Sequence, residues 1–155
     1  MKDVIDVAAY ILEKVDDVST MKLQKLAFYS QAYCLVRRRT PLFKNRIEAW
    51  AGGPVVPDLF KAHRGKYVVN IDAMDFSRPP SPLSPLEKNI IDHVIDRIGS
   101  MSGSELSQLS HSERPWIDAR EGLEPGERSD RQITNEAIYS YYSSNECHNK
   151  VFQAA

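Results

Sequence analysis

Apolar residues recur at intervals of three and four along the first 36 residues, which is the spacing of one face of an α-helix. They predict a first helix over residues 2–15 with one apolar stripe, formed by Val4, Val7, Ala8, Ile11, Leu12 and Val15. Ser19 or Thr20 then caps a second, longer helix that reaches about Val36. Because this helix is apolar around most of its circumference, we expect it at the centre of the domain.

In the middle of the chain, short extended segments alternate with glycine and proline. Residues 46–51 and 66–71 contain the β-branched and aromatic residues that are typical of strands. Residues 52–54, Gly-Gly-Pro, predict a turn, and Pro57 suits the first position of a helix that ends near His63. We therefore expect a minor β element in a chain that is otherwise helical.

The second half begins with the clearest helix starts in the sequence. Ser84 with Glu87, and Ser102 with Glu105, each have the spacing of a capping box, in which the two side chains cap the first helical turn. The first of these helices is expected to end near Gly99, and the second is expected to be short.

Three further segments complete the predicted elements. The proline-rich residues 77–85 indicate a surface loop and no domain boundary, because neither side alone is large enough for an independent core. Pro115-Trp116 predicts a bend against which the aromatic ring of Trp116 packs. A last helix is expected over residues 134–143, with an inner face formed by Ile133, Ala137, Ile138 and Tyr141.

Together these elements predict a mainly α fold, that is, α+β with a minor β element. We expect a compact single-domain helical bundle with a short strand and turn insertion around residues 46–56. The domain is expected to cover residues 1–145, and a C-terminal tail residues 146–155. A chain of 155 residues is long enough to bury a core of its own.

The composition is that of an ordinary globular domain, with 42% hydrophobic and 26% charged residues. It excludes a disordered tail and a disulfide miniprotein, and no apolar run approaches the roughly 20 residues of a membrane span. Cys34 and Cys147 lie far apart, and the N-terminus lacks the apolar stretch of a secretory signal. We expect reduced thiols, no membrane partner and a cytoplasmic location.

Charge is divided unevenly along the chain, although the net charge is −1. Residues 1–70 contain 12 Lys+Arg against 7 Asp+Glu, whereas the rest contains 8 against 14. The basic half supports an alternative function, a nucleic-acid-binding regulator with stacking aromatics at Tyr29, Tyr33, Trp50 and Tyr67. A nucleic-acid partner is not the main expectation, because no helix-turn-helix, zinc-finger or RNP pattern is present and attraction between the two halves explains the asymmetry equally well.

The residue types that perform catalysis or bind metals form no recognisable motif. The four histidines lack the spacing of paired metal ligands. Cys34 with His63 or His111 would supply the nucleophile and base of a small enzyme. However, Cys34 falls on the apolar face of a helix, where a cysteine behaves as a small hydrophobic residue. We expect a binding protein without catalysis, metal or cofactor.

Three segments of the sequence together form a recognisable pattern. The first is residues 21–32, Met-Lys-Leu-Gln-Lys-Leu-Ala-Phe-Tyr-Ser-Gln-Ala. The second contains Leu42-Phe43, residues 47–50 (Ile-Glu-Ala-Trp) and residues 53–60 (Gly-Pro-Val-Val-Pro-Asp-Leu-Phe). The third is a looser match at residues 106–116, where Leu106 through His111 precede Pro115-Trp116. In order and spacing, the first two blocks resemble the Panacea domain family, which includes SocA-type antitoxins and phage-associated GepA-type proteins.

The resemblance implies an antitoxin that neutralises a cognate toxin, encoded nearby, by direct protein–protein binding. SocA-type members are described as proteolytic adaptors that present a toxin to a ClpXP-type protease, and this mode stays open beside simple binding. Many members carry an additional DNA-binding segment. Since the matched domain starts within a few residues of Met1, transcriptional autoregulation is not expected here.

Aromatic residues and arginine dominate the hot spots of protein interfaces, and this suggests where a toxin would bind. The predicted toxin-binding residues are Lys22, Lys25, Arg37, Arg38, Lys44, Arg46, Trp50, Gly53, Pro54 and Val55. Lys22 and Lys25 are expected to point away from the apolar helix face, toward a partner or solvent. The alternative is that Trp50, Pro54 and Val55 belong to the core and that the toxin docks elsewhere.

The end of the sequence carries one further prediction. Ala154 and Ala155 resemble the Ala-Ala ends that ClpXP-type proteases recognise, which suggests a degradation signal. The alternative is an arbitrary end without function.

Overall fold

The computed structural model describes residues 2–153. Within that range the chain forms seven α-helices and four short strands. In chain order they are α1 (Val4–Val15), β1 (Val18–Ser19), α2 (Thr20–Arg38), β2 (Glu48–Trp50), β3 (Gly53–Val55), α3 (Pro57–His63), β4 (Val68–Val69), α4 (Pro85–Ile98), α5 (Gly103–His111), α6 (Arg114–Ala119) and α7 (Asn135–Tyr142). Single 3₁₀ turns lie between β4 and α4, at Ile71–Ala73, and after α7, at Lys150–Phe152. The predicted mainly α fold with a minor β element is confirmed.

The helix starts that were read from the sequence are confirmed by their caps. Ser19 caps α2 through its side chain, which accepts a hydrogen bond from a backbone N–H of the first turn. The capping boxes of Ser84 with Glu87 and of Ser102 with Glu105 are both formed at the starts of α4 and α5. These signals are local, so a single sequence suffices to place them.

The second helix, α2, is the centre of the molecule, as its apolar circumference predicts. It packs against α1, α4, α5 and α7, and its side chains from Leu23 to Ala32 are all buried. Burial on every side leaves no polar stripe for solvent over that stretch. Each polar side chain in the interior must therefore find a partner within the protein, because an unpaired buried polar group is costly.

The four strands form two separate antiparallel pairs. Strands β2 and β3 make a hairpin in which Trp50 lies opposite Gly53, which confirms the predicted strand and turn in this region. Strand β4 pairs with β1, in the register Val18 opposite Val69. A segment before α7 extends the hairpin, because the Ala49 N–H donates to the Arg131 carbonyl at 2.9 Å.

Two local predictions are wrong. The predicted bend at Pro115-Trp116 is the short helix α6, since Pro115 occupies an early helical position where its missing N–H costs nothing. Ala137, assigned to the inner face of the last helix, is exposed, and Tyr142 is buried there instead. The helix is therefore rotated relative to the predicted apolar face.

The described residues after α7, up to Gln153, pack onto the helices. Val151 is buried, and its carbonyl lies 2.8 Å from His93 Nε2 on α4. Arg97, one turn further along α4, donates to the carbonyls of Lys150 and Gln153. This C-terminal segment thus contributes to the same core as the helices.

Candidate interaction surfaces and the scaffold beneath them

The polar residues of the first motif block hold main-chain atoms of distant loops. Gln24 accepts a hydrogen bond from the Val56 N–H at 2.9 Å and donates to the Val56 carbonyl at 3.3 Å. Gln31 accepts from the N–H groups of Leu42 and Phe43 at 2.7 and 3.1 Å and donates to the Phe43 carbonyl at 3.0 Å. These two glutamines fix the segments that lead into and out of the β2–β3 hairpin.

Lys25 points into the protein, so the expectation that it faces a partner or solvent is wrong. Its side chain is 2% exposed, and Nζ donates to the Pro54 carbonyl at 3.2 Å. Gly53 makes room for it, because a Cβ there would lie 2.6 Å from Lys25 Cε. Burial lowers the pKa of Lys25 to about 8. In this structure Lys25 is a buried scaffold residue that holds the Pro54 carbonyl.

The lowered pKa of Lys25 predicts a specific pH dependence. Between about pH 8 and the ordinary value of 10.5, the folded state loses this proton while the unfolded state keeps it, so stability rises with pH. In urea titrations at several pH values, the wild type should gain up to about 3 kcal/mol relative to Lys25→Met across this range. Lys88→Met, at an exposed lysine, should show no such difference. A constant difference between wild type and Lys25→Met would contradict the prediction.

The glycine–proline turn is anchored by α5 and α6. Trp116 Nε1 donates to the Trp50 carbonyl at 2.7 Å, and Ser107 Oγ donates to the Gly52 carbonyl at 2.6 Å. The indole of Trp50 is half-buried and packs edge-on against Phe60. Next to it opens a cleft of about 550 Å³, lined by Glu48, Trp50, Ala51, Gly52, Arg128, Ser129 and Asp130.

Among the predicted toxin-binding residues of this turn, Gly53, Pro54 and Val55 are buried. Trp50 alone of the four retains partial exposure at the cleft. Direct contact between a toxin and the three buried residues would need the hairpin to open.

The predicted basic residues are spread over separate places. Arg37 and Arg38 are exposed at the end of α2, whereas Lys22 lies in its first turn and donates to the Gly99 carbonyl at 2.6 Å. At 1.5 Å per residue, Lys22 and Arg38 are about 24 Å apart along the helix. Lys44 is exposed, and Arg46 pairs with Glu48 at 2.9 Å.

A buried carboxylate that the sequence did not reveal ties the second half together. Glu113 Oε1 accepts hydrogen bonds from the hydroxyls of Tyr29 and Tyr142, at 2.5 and 2.7 Å, and Oε2 accepts one from Asn149 at 3.0 Å. Burial raises the pKa of Glu113, although these three hydrogen bonds act in the opposite direction. Tyr29 is fully buried in this network and is not a stacking platform for nucleic acid.

A second surface feature was also missed by sequence reasoning. A groove of about 550 Å³ lies between the β1–β4 pair and the start of α5, and its lining includes Val18, Met21, Lys22, Tyr67, Ser104 and His111. We call it the Met21–Tyr67 groove. The ring of His111 stacks on Trp116 at 4.0 Å, and burial lowers the pKa of His111. The exposed apolar side chains at its rim leave no signal in the sequence, because their exposure depends on the β1–β4 pairing.

The residues proposed for other functions lie as follows. Cys34 is buried, and burial raises the pKa of its thiol, which disfavours the thiolate that an enzyme would use. Among the basic residues of the first half, Lys66 pairs with Asp75 and Lys61 with Asp58. Over residues 2–153, no group of three or more His, Cys, Asp and Glu side chains is placed to hold a metal ion.

The sequence that builds this scaffold matches a known family. A sequence profile described as antitoxin SocA-like, Panacea domain, matches residues 23–117, from α2 to α6. The chain belongs to this antitoxin family. Antitoxin SocA of Caulobacter vibrioides is 35% identical over 109 residues, which cover 64% of this chain and 58% of that protein. The chain thus matches less than two thirds of the length of SocA. No solved structure matches it.

Membership in the Panacea family confirms the resemblance carried by the two motif blocks. In the part of the chain that is described, no helix has the length and apolar character to cross a membrane. Ala154 and Ala155, the predicted degradation signal, lie outside the described residues. That signal stays a prediction.

Proposed function

We propose that this Panacea-domain protein is an antitoxin that neutralises a cognate toxin by binding it directly. The observation that carries the proposal is the family match over residues 23–117. Within that range, Gln24, Lys25 and Gln31 bind main-chain atoms and fix the scaffold. A scaffold that is ordered before binding suits a protein partner, because little conformational entropy remains to be lost on association.

The family resemblance adds a second candidate, in which the bound toxin is delivered to a ClpXP-type protease. Both candidates require a complex between the two proteins. They differ in the fate of the toxin, which persists after simple binding and disappears after delivery to a protease. Toxin half-life therefore separates them.

The test is coexpression with the product of the neighbouring gene in a bacterial host. Expressed alone, that protein is expected to arrest growth, and expression of this chain is expected to restore growth and to yield a copurifying complex. Under the delivery candidate, the toxin half-life shortens only in a host that contains ClpX. If arrest persists while this chain is soluble and abundant, the proposed function is wrong, and salt-dependent binding to nucleic acid becomes the next test.

The same complex tests the exposed basic residues predicted from the sequence. If Arg38 and Lys44 face the toxin, the double variant Arg38→Glu, Lys44→Glu should slow association several-fold, and more at low salt than at high salt. The matched control is Lys61→Glu with Lys88→Glu, which changes the net charge equally at other exposed sites. Equal effects of both pairs would mean that net charge alone matters.

A further inference from the structure

We propose that the Met21–Tyr67 groove is the centre of the toxin interface, where it takes an apolar side chain of the toxin flanked by a basic residue. This inference rests on the proposed antitoxin function and gives it a surface. Four observations support it: apolar exposure, a preformed shape, the sign of the charges at the rim, and the cavity volume.

Exposed apolar side chains are concentrated on and beside the β1–β4 pair, and two of them, Met21 and Tyr67, line the groove. Among residues 2–153, five large apolar side chains are exposed, and four of them lie on or beside the β1–β4 pair: Met21 at 41%, Tyr67 at 80%, Val68 at 52% and Ile71 at 39%. The fifth, Leu86 at 58%, is on α4. Single exposed apolar residues are common on protein surfaces, but a cluster marks an interaction site.

The walls of the groove are held in place without a partner. The Thr20 N–H donates to the Tyr67 carbonyl at 2.9 Å, next to the paired strands β1 and β4. On the opposite wall, α5 starts at Gly103, where a Cβ would lie 2.7 Å from Ser19 Oγ. This close approach fixes α5 against α2. A docking surface of this kind loses little entropy on binding.

The charges around the groove favour a basic partner. Asp17 lines the groove and its neighbour Asp16 is exposed; Glu105, which follows the lining residue Ser104 in α5, is also exposed. Among the lining residues, Lys22 carries the cationic side chain, and its ammonium group keeps its charge while it donates to the Gly99 carbonyl. The acidic excess is therefore three carboxylates against one ammonium group. Burial and the nearby cations Lys25 and Arg120 lower the pKa of His111, so its ring adds no charge at neutral pH.

The sign of these charges also favours the toxin over a second copy of this chain as the occupant of the groove. Two copies joined groove to groove would bring the same acidic rims together, and like charges across an interface cost affinity. The volume, about 550 Å³, lies within the range of pockets that enclose a bound group, so one or two anchoring side chains fit inside. The occupant that matches apolar walls and an acidic rim is a toxin segment with an apolar anchor beside Lys or Arg.

The experiment compares groove variants with a matched control on the purified product of the neighbouring gene. The double variant Met21→Ala, Tyr67→Ala removes two exposed apolar side chains, and Leu86→Ala removes one on α4. Calorimetric titration is expected to give a Kd at least tenfold weaker for the groove variant and within twofold of wild type for Leu86→Ala. Circular dichroism melting checks that all variants remain folded, which is expected because the altered side chains are exposed.

A charge variant tests the basic flank. Asp17→Lys is expected to weaken binding several-fold, and more at low salt, whereas tighter binding would mean that an acidic segment lies there and would overturn the proposal. If wild type binds and the groove variant binds equally well, the groove is not the interface, although the antitoxin function stands. If wild type does not bind the purified product of the neighbouring gene, both the proposed antitoxin function and the groove interface are contradicted. Sedimentation of the protein without toxin tests self-association. If wild type forms a dimer and the groove variant does not, while both bind the toxin equally well, the groove is a self-association surface and the inference is overturned.

Discussion

Gly53→Ala is expected to lower the free energy of unfolding by about 4 kcal/mol. Gly53 has φ of 124°, a backbone conformation that residues with a Cβ rarely adopt. The added methyl group would also lie 2.6 Å from Lys25 Cε and 3.1 Å from Ser110 Oγ. A shift of Lys25 is opposed because its side chain is buried and its ammonium group is bound to the Pro54 carbonyl.

The adjacent glycine supplies the control. A Cβ at Gly52 meets nothing within 4 Å, so Gly52→Ala is expected to change stability by no more than about 0.5 kcal/mol. Gly65 has φ of 81° in open space, so Gly65→Ala isolates backbone strain and should cost about 1 kcal/mol. Urea denaturation followed by circular dichroism measures all three. Equal losses at positions 52 and 53 would show that the contact with Lys25 does not matter.

Glu113→Ala is the second substitution with a large expected effect, about 4 kcal/mol. It leaves the hydroxyls of Tyr29 and Tyr142 and the amide of Asn149 without their acceptor in the interior. Each unpaired donor carries a desolvation penalty, and a cavity remains where the carboxylate was. The loss should also loosen the C-terminal segment at Asn149, which connects it to this network, while His93 and Arg97 continue to hold residues 150–153.

The stability lost in Glu113→Ala is expected to depend on pH in one direction. Since burial raises the pKa of Glu113 above its ordinary value of 4.5, the folded state keeps this proton at pH values where the unfolded state releases it. The carboxyl group's contribution to stability is therefore complete below about pH 4.5 and declines as pH rises through the raised pKa. The difference between wild type and Glu113→Ala in urea titrations should be larger at pH 4 than at pH 7.

Two variants act as controls for Glu113→Ala. Tyr29→Phe removes one donor and leaves the other two bonds, so it should cost about 1 kcal/mol. Glu121→Ala changes an exposed glutamate and should be close to neutral. An effect of Glu113→Ala no larger than that of Glu121→Ala would mean that solvent replaces the network without cost.

The elements that sequence reasoning placed correctly depend on local signals. The capping boxes at Ser84 and Ser102 and the proline at the start of α3 fix helix starts through contacts within one turn. The apolar circumference of α2 predicted its central place for a related reason, since it is a property of one segment. Such features need no knowledge of the rest of the chain.

The features that were missed depend on contacts between distant segments. Lys25 is buried because Gly53, 28 positions later, leaves space for it, whereas helical spacing alone directed it outward. The Met21–Tyr67 groove exists because β4 pairs with β1 across about 50 residues. Glu113 collects partners from α2, α7 and the C-terminal segment. Nothing in a short stretch of sequence indicates any of these arrangements.

The hydrogen bonds that frame the hairpin end on main-chain atoms, and this has a consequence for evolution. Gln31 holds the backbone of Leu42 and Phe43, and Arg120 donates to the carbonyls of Ala49 and Glu127. A main-chain group is the same whichever side chain its residue carries. Side chains in the loops that these residues hold can therefore be substituted without loss of the hydrogen bonds that position the loops. The side chains available for binding can then change faster during evolution than the residues that stabilise the fold.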